Sequence, residues 1–393
     1  MKIMSINAGS SSLKFSLFEM DTKEVLVSGL FERIGIEGSQ YTIKYQDFKI
    51  KEQVELKDHT DAVKILLNKL IELKIIDSLE EIDGIGHRIV HGGSEYTESV
   101  MVTNKVAEDI LKLSDLAPLH NTAHYLGIKA FRDVLPKTPM VVVFDTAFHQ
   151  TMEKENYLYA LPYEWYTKYK VRKYGFHGTS HRYITKKISE ELGRDDLKII
   201  SCHLGNGGSV TAIKDGKCVN TSMGFTPLAG IVMGTRTGDV DCSVIPYLME
   251  KEGKSAGEIL SDFNKKSGLL GISQLSSDSR DIEDGCKEGK ENCLLAQEMF
   301  VRSVVKYIAQ YYVELGGVDV ICFTAGIGEN SADTRRRIIE KLGVLGIKLD
   351  LEANNTRGKI AKISSKDSSS LVYVVPTNEE LMIALDTLEI INR

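Results

Sequence analysis

Along the first twenty residues, a run of β-compatible residues leads into a polar cluster, after which apolar positions keep the two-residue period of a strand. Met1 to Ile6 suits a strand, Asn7-Ala-Gly-Ser-Ser-Ser12 is a turn, and Leu13, Phe15 and Leu17 alternate with Lys14 and Ser16. The pattern predicts a hairpin with a glycine-containing tip. A related stretch recurs 196 residues later, where Lys2, Ile3, Ser5 and Gly9 return as Lys198, Ile199, Ser201 and Gly205 in KIISCHLGNGGSVTAI. Because the strand, glycine turn, strand order returns as well, the repeat predicts a duplication. A third strand, Val318 to Phe323, runs into the glycine-rich turn TAGIGEN and then a helical stretch, SADTRRRIIEKLG, for which Gly343 is the expected closing glycine. The longest predicted helix spans Asn292 to Leu315, with Leu295, Met299, Val304, Ile308 and Tyr312 near the helical period. MVVVF, Met140 to Phe144, is an unbroken apolar run of the kind found in strands covered on both faces. Together these elements predict two α/β domains. No long linker separates them, and Ser364 to Ser370 reads as a surface loop.

Length and composition narrow the function classes. A chain of 393 residues, 42% apolar and 26% charged, is large enough for two or three globular cores. Lys plus Arg number 49 against 55 Asp plus Glu, a net charge of −6, so the basic excess of a nucleic-acid binder is missing. A small anionic substrate remains compatible, since a few arginines make a positive pocket in an acidic protein. Six cysteines without a C-x-x-C pair fit neither a zinc ribbon nor a disulfide framework, and are expected as reduced, mostly buried thiols. Ser5 and Asn7 break the N-terminal apolar stretch before a signal segment forms, and no apolar run reaches membrane-spanning length, so the expected location is the cytoplasm.

Three glycine-rich turns, at Asn7, His203 and Thr324, follow strands, and turns of this kind present backbone N–H groups to phosphate oxygens. Taken singly, each is equally well a tight β-turn. Two standard nucleotide motifs are absent: Leu248 stands where a P-loop ending in Gly253-Lys254-Ser255 needs glycine, and Ser331 stands where a dinucleotide fingerprint needs its third glycine. Eight of nine histidines crowd between positions 87 and 203, with i, i+4 pairs at 87/91, 120/124 and 177/181. A zinc hydrolase would carry the H-E-x-x-H glutamate, which all three pairs lack, and the glycine and β-branched residues inside them suit a helix interior poorly. Arg88 in HRIVHGG and Arg236 in MGTRTGDVD sit near glycines expected to turn the backbone, and a guanidinium matches phosphate or carboxylate as a fork. A structural ion pair is the alternative for either. Asp145 closes an apolar strand, as a ligand-facing carboxylate or as a helix cap. Glu379 and Glu380 follow another apolar strand, as Mg²⁺ ligands or as a helix N-terminal acid pair.

The motifs NAGSSSLK (7–14), HRIVHGG (87–93), APLHN (117–121), FDTAFH (144–149), YGFHGTSH (174–181), HLGNGGS (203–209), TSMGFTPL (221–228), FTAGIGEN (323–330) and PTNEEL (376–381), in this order from end to end, resemble the acetate kinase (acetokinase) family. The resemblance implies an α/β fold of two duplicated ribonuclease H-like domains of the actin/Hsp70 ATPase type, with ATP in an interdomain cleft. The expected division is 1–148 plus 381–393 for the first domain and 149–380 for the second. It also implies ATP + acetate ⇌ ADP + acetyl phosphate, with Mg²⁺ or Mn²⁺, on a homodimer. Carried over by position, Asn7 and Glu379 resemble the metal-site residues, and Arg88 and Arg236 those that bracket the carboxylate and the moving phosphoryl group. His177 resembles the donor to that group and Asp145 the catalytic carboxylate. Ser10, Ser12 and Lys14 correspond to the phosphate end. His203, Leu204, Gly205, Asn206 and Gly207, with Asp278, Ser279 and Arg280 and with Gly326, Ile327, Gly328, Glu329 and Asn330, resemble the ATP-binding stretches. Val90, Leu119, Phe176 and Pro227 resemble the pocket for the acetate methyl. Asn220, Ala229 and Cys242 depart from the commonest family pattern and bear on the loop around Arg236 and on acyl-chain preference. A propionate or butyrate kinase of the same family is the nearest alternative, and a nucleotide-dependent binding module on the same scaffold a more distant one. An acetate acceptor is already ionised at pH 7, so Asp145 is expected to orient a cation rather than remove a proton.

Overall fold

The computed structural model describes residues 1–117 and 120–393; the expected pocket residue Leu119 lies outside them. The chain divides into two compact units, Met1–Phe148 with Asn378–Arg393, and His149–Thr377. The return to the first unit thus comes at Asn378 rather than 381. The cause is local: the Asn378 side chain caps the last helix, Glu379–Ile391, accepting from the Leu381 N–H at 3.0 Å, and that helix packs on first-unit strands.

The first unit is built on strands β1 (Lys2–Gly9), β2 (Ser12–Glu19), β3 (Glu24–Glu32), β4 (Gln40–Tyr45), β5 (Phe48–Gln53), β6 (Ile82–Ile89), β7 (Val100–Met101) and β8 (Met140–Phe144). They lie in the order β5-β4-β3-β2-β1-β6-β8-β7, with β1, β6 and β8 parallel and the other neighbours antiparallel. Gly9 pairs with Ser12, so the first hairpin turns on Ser10 and Ser11 alone. On β8, Val142 and Phe144 pack with Ile110 and Ile128, while the alternate residues Val141 and Val143 pack with Ile383 of the last helix. Coverage on both faces is why that strand is apolar throughout. A Cβ at Gly86 would stand 2.2 Å from Thr387 Oγ1 and 2.6 Å from Ile383 Cγ2, so glycine there lets the last helix lie against β6.

The second unit contains β9 (Lys198–Leu204), β10 (Gly208–Lys214), β11 (Lys217–Thr221), β12 (Val320–Thr324), β13 (Ala361–Lys362) and β14 (Leu371–Val374), in the order β11-β10-β9-β12-β14-β13. An antiparallel trio, two strands parallel to its last member and an antiparallel edge repeat the β3-β2-β1-β6-β8-β7 portion of the first sheet. β1 and β9, the strands that share sequence, hold the same place in each sheet.

Several local expectations change. Ala325–Asn330 is a short helix rather than a turn, because Glu329 reaches back to accept from the Ala325 N–H at 2.8 Å. The helix Ala332–Lys341 runs on into a 3₁₀ turn, and the left-handed glycine that ends it is Gly346, at φ 77°, not Gly343. Arg88 lies on β6 itself, not in a turn, and Gly178–Leu192 is helical despite its glycine, with His177 as N-cap at φ 58°. In the long helix, Glu291–Glu314, the buried stripe runs through Ala296, Phe300, Val304 and Ile308, leaving Leu295 and Met299 exposed. All six cysteines are free; four are buried, Cys286 is half-buried and Cys242 exposed.

Candidate active site

In the first unit, the C-terminal ends of the parallel strands gather the expected acceptor-side residues. Ile6 pairs with His87 and Ile89 with Phe144, which sets Asn7, Arg88 and Asp145 at one edge of the sheet. Arg88 Nε lies 3.2 and 3.1 Å from the two Asp145 oxygens and Nη2 lies 2.6 Å from Oδ2. This side-on grip leaves Nη1 on the opposite edge of the guanidinium fork. Asp145 is 1% exposed. Burial alone would lower the Arg88 pKa, but the Asp145 charge and hydrogen bonds, with Glu379 and Glu380, raise it instead. Burial holds the His124 ring down to about 3, so it is neutral and donates from Nδ1 to the Arg88 carbonyl at 2.5 Å. Arg88 is therefore fixed at both its side chain and its backbone.

Glu379 and Glu380 open the last helix beside this pair. Lys14 on β2, opposite Asn7, contacts Glu380. Loss of solvent pushes the Glu379 carboxyl up to about 7, with Asp145 and Glu380 adding repulsion against the pull of Arg88 and Lys14. Among the described residues no cluster of three or more His, Cys, Asp or Glu forms a metal centre. Val90 is buried in this unit, whereas Phe176 and Pro227 belong to the second.

In the second unit His177 stacks on His203, ring centroids 4.2 Å apart, and its Nδ1 lies 3.0 Å from Ser209 Oγ. A Cβ at Gly207 would stand 3.6 Å from His177 Nε2 and 3.5 Å from Arg236 Nη1, so ring and guanidinium meet at the β9–β10 hairpin. Arg236 is half-buried; Nη1 donates to the Pro227 carbonyl at 3.1 Å, and no carboxylate partner is found among the described residues. Desolvation lowers its pKa. A partly desolvated, uncompensated cation is an anion site by its energetics.

A cavity of about 630 Å³ opens in the same unit. Gly205, Asn206, Asp278, Ser279, Arg280, Gly326, Ile327 and Asn330 line it, all from the expected ATP-binding stretches. Leu204 and Gly328 are buried behind it, and Glu329 is engaged with the Ala325 and Thr377 N–H groups. Ser10, Ser12 and Lys14 lie on the first-unit hairpin. Ser277, Glu283, Ser331 and Arg357 also line the cavity and were not foreseen. Glu283, four residues beyond Ser279 on the helix Ser279–Lys287, was within reach of helical periodicity; Arg357 lies in an irregular segment without a motif. Asp278 caps that helix and pairs with Arg280, which holds its carboxyl at about 2.

Two sheets of matching topology, forked cations at strand and hairpin ends and a nucleotide-sized cavity describe a kinase of the actin/Hsp70-type ATPase fold, a phosphotransferase. The Acetokinase family model matches residues 2–385. Acetate kinase from Bacillus subtilis (strain 168) is 55% identical over 391 residues, covering 99% of each chain. The crystal structure of Porphyromonas gingivalis acetate kinase matches at 45% identity and TM-score 0.96, and that of a propionate kinase from Francisella tularensis at 42% and 0.94, each over 99% of both chains. The chain belongs to the acetokinase family.

Proposed function

We propose that this chain transfers the γ-phosphoryl group of ATP to acetate, giving ADP and acetyl phosphate, reversibly and by direct in-line displacement. An acetate oxygen forms the new P–O bond as the bond to the ADP oxygen breaks. Such a transition state spreads charge over the equatorial oxygens, so positioning and fixed cations are the main requirement. The observation that carries the reading is Arg236: a half-buried guanidinium without a carboxylate partner among the described residues, set beside the His177 ring and Gly207. Arg236 and His177 stabilise the moving phosphoryl group. Arg88, held by Asp145, presents its outer edge to the acetate carboxylate, and Val90, buried in the same unit, serves the acetate methyl. The 630 Å³ cavity takes the nucleoside part of ATP, and Lys14, Ser10 and Ser12 serve the phosphate end.

The donor set suits magnesium. Glu379 is a carboxyl that desolvation and neighbouring carboxylates push up to about 7, a site that gains from a cation, and Mg²⁺ uses one or two protein oxygens plus phosphate and water. Asn7 and Glu379 would hold Mg²⁺, or Mn²⁺ in its place, which supplies neutralisation of phosphate charge.

Acetate is preferred to propionate because the relative at 55% identity is an acetate kinase while the propionate kinase stands at 42%. We place the chain in the cytoplasm, with six free cysteines and no helix among the described residues long and apolar enough to cross a membrane. We also propose a homodimer, supported by the exposed Leu295 and Met299 on one helix face; sedimentation checks it. The test of activity traps acyl phosphate with hydroxylamine from ATP, Mg²⁺ and each short acid. Acetyl hydroxamate is expected, with kcat/KM highest for acetate. No product from any acid, or a higher value for propionate, would refute the proposal.

A further inference from the structure

Behind His177 lies a row of polar groups that the reaction itself does not require. His177 Nδ1 is 3.0 Å from Ser209 Oγ, which is 2.7 Å from His181 Nε2, and His181 Nδ1 is 2.9 Å from Ser201 Oγ. Ser201, Ser209 and His181 are fully buried, on β9, β10 and the helix Gly178–Leu192. Resting on the role given above to His177, we infer that Ser201, His181 and Ser209 are positioning residues that fix its tautomer, with the proton on Nε2.

The direction of the row follows from counting protons. Burial, with His149 and His203 nearby, holds the His181 pKa well below its ordinary value, so that ring is neutral, with one N–H and one lone pair. Each hydroxyl has one proton, so the row runs one way or the other as a whole. If His181 donated to Ser201, the Ser201 proton would need an acceptor of its own, and among the described residues Ser201 Oγ has only His181. An orphaned buried donor is costly. Ser201 therefore donates to His181, His181 to Ser209, and Ser209 to His177 Nδ1. The remaining His177 proton falls on Nε2, the nitrogen on the Gly207 and Arg236 side. The incoming phosphoryl oxygen then meets a donor beside the guanidinium, never a lone pair.

Ring ¹⁵N spectra of the full-length enzyme, with His177 assigned by comparison with His177→Gln, read this directly. The expected wild-type pattern is a protonated Nε2 and a bare Nδ1; a protonated Nδ1 overturns the inference before any activity is measured. Ser209→Ala is expected to mix the two tautomers and lower kcat about 10- to 100-fold, the cost of one lost buried hydrogen bond, with KM for ATP and acetate within about twofold. Ser209→Thr, which keeps the hydroxyl, restores both. Wild-type tautomer and kcat in Ser209→Ala would also overturn it. Full turnover by His177→Gln would instead remove the role of His177 in the reaction, while the wild-type spectrum still decides the direction of the row.

Discussion

Arg88 carries its charge against a carboxylate that is almost wholly buried, so each residue is the other's main compensation. Replacing Asp145 by Asn keeps the shape and one acceptor but strands the guanidinium. Breaking a buried pair costs about 3–5 kcal/mol, and retained acceptance puts Asp145→Asn near the lower end, about 3 kcal/mol. Because the released fork no longer holds its angle, turnover should fall roughly 100-fold; urea melts and initial rates measure the two effects. Near-normal turnover in that variant would show that the carboxylate does not orient the cation. Arg236 is the converse case. Among the described residues it has no counter-charge to strand, so Arg236→Ala should lower turnover by roughly 10³- to 10⁵-fold while the melting midpoint stays at or above that of the parent. Both arginines stand out in the sequence by their glycine-rich surroundings. Their opposite electrostatics do not, because the Arg88 partner is 57 residues away and reaches it only through the register of β6 with β8.

Elements carry these residues into place, and the last helix shows how narrow the tolerance is. Its first turn bears Glu379 and Glu380, and its bare passage over Gly86 fixes how close it sits. A methyl at that position would overlap Thr387 and Ile383. Gly86→Ala should therefore cost about 1–3 kcal/mol in overpacking and, by lifting Glu379, raise the Mg²⁺ concentration needed for half-maximal rate; an unchanged Mg²⁺ titration would separate packing from site geometry. The second strand of the first hairpin and the strand at Met140 were legible because a period-two alternation marks a strand and a short unbroken apolar run one covered on both faces, while the second hairpin, buried on both faces, was legible only through its likeness to the first. The helix Ala325–Asn330 was not, since its two glycines favour a turn and the stabilising carboxylate of Glu329 acts only once the fold is formed. Nor could pattern single out Arg335 within RRR. Arg336 and Arg337 reach Asp333 in the ordinary way, while Arg335 is fully buried and spends its donors on Asn354 and the carbonyls of Gly328, Asn354 and Thr356, desolvation bringing it to about 10.

At the scale of the whole molecule, four residues shared between the first strand and the ninth strand with its following turn were enough to point to a duplication, and the six-strand order of the second sheet repeats the β3-β2-β1-β6-β8-β7 portion of the first. The chemistry is not duplicated with the fold. The first unit carries the Arg88–Asp145 pair and the acidic helix start, and the second carries the nucleotide-sized cavity, His177 and Arg236. This division has a thermodynamic consequence. A ligand at 100 times its Kd stabilises the structure it binds by about 2.7 kcal/mol, close to a 100-fold slowing of hydrogen exchange wherever exchange needs that structure to open. ADP alone at that concentration should slow exchange by up to that factor in Gly205–Gly207, Ser277–Glu283, Gly326–Ser331 and the segment around Arg357. Amides at the ends of β6 and β8, next to Arg88 and Asp145, should change far less. Protection centred on the β6 and β8 ends, with the cavity segments unchanged, would mean that the nucleoside does not bind in the second-unit cavity.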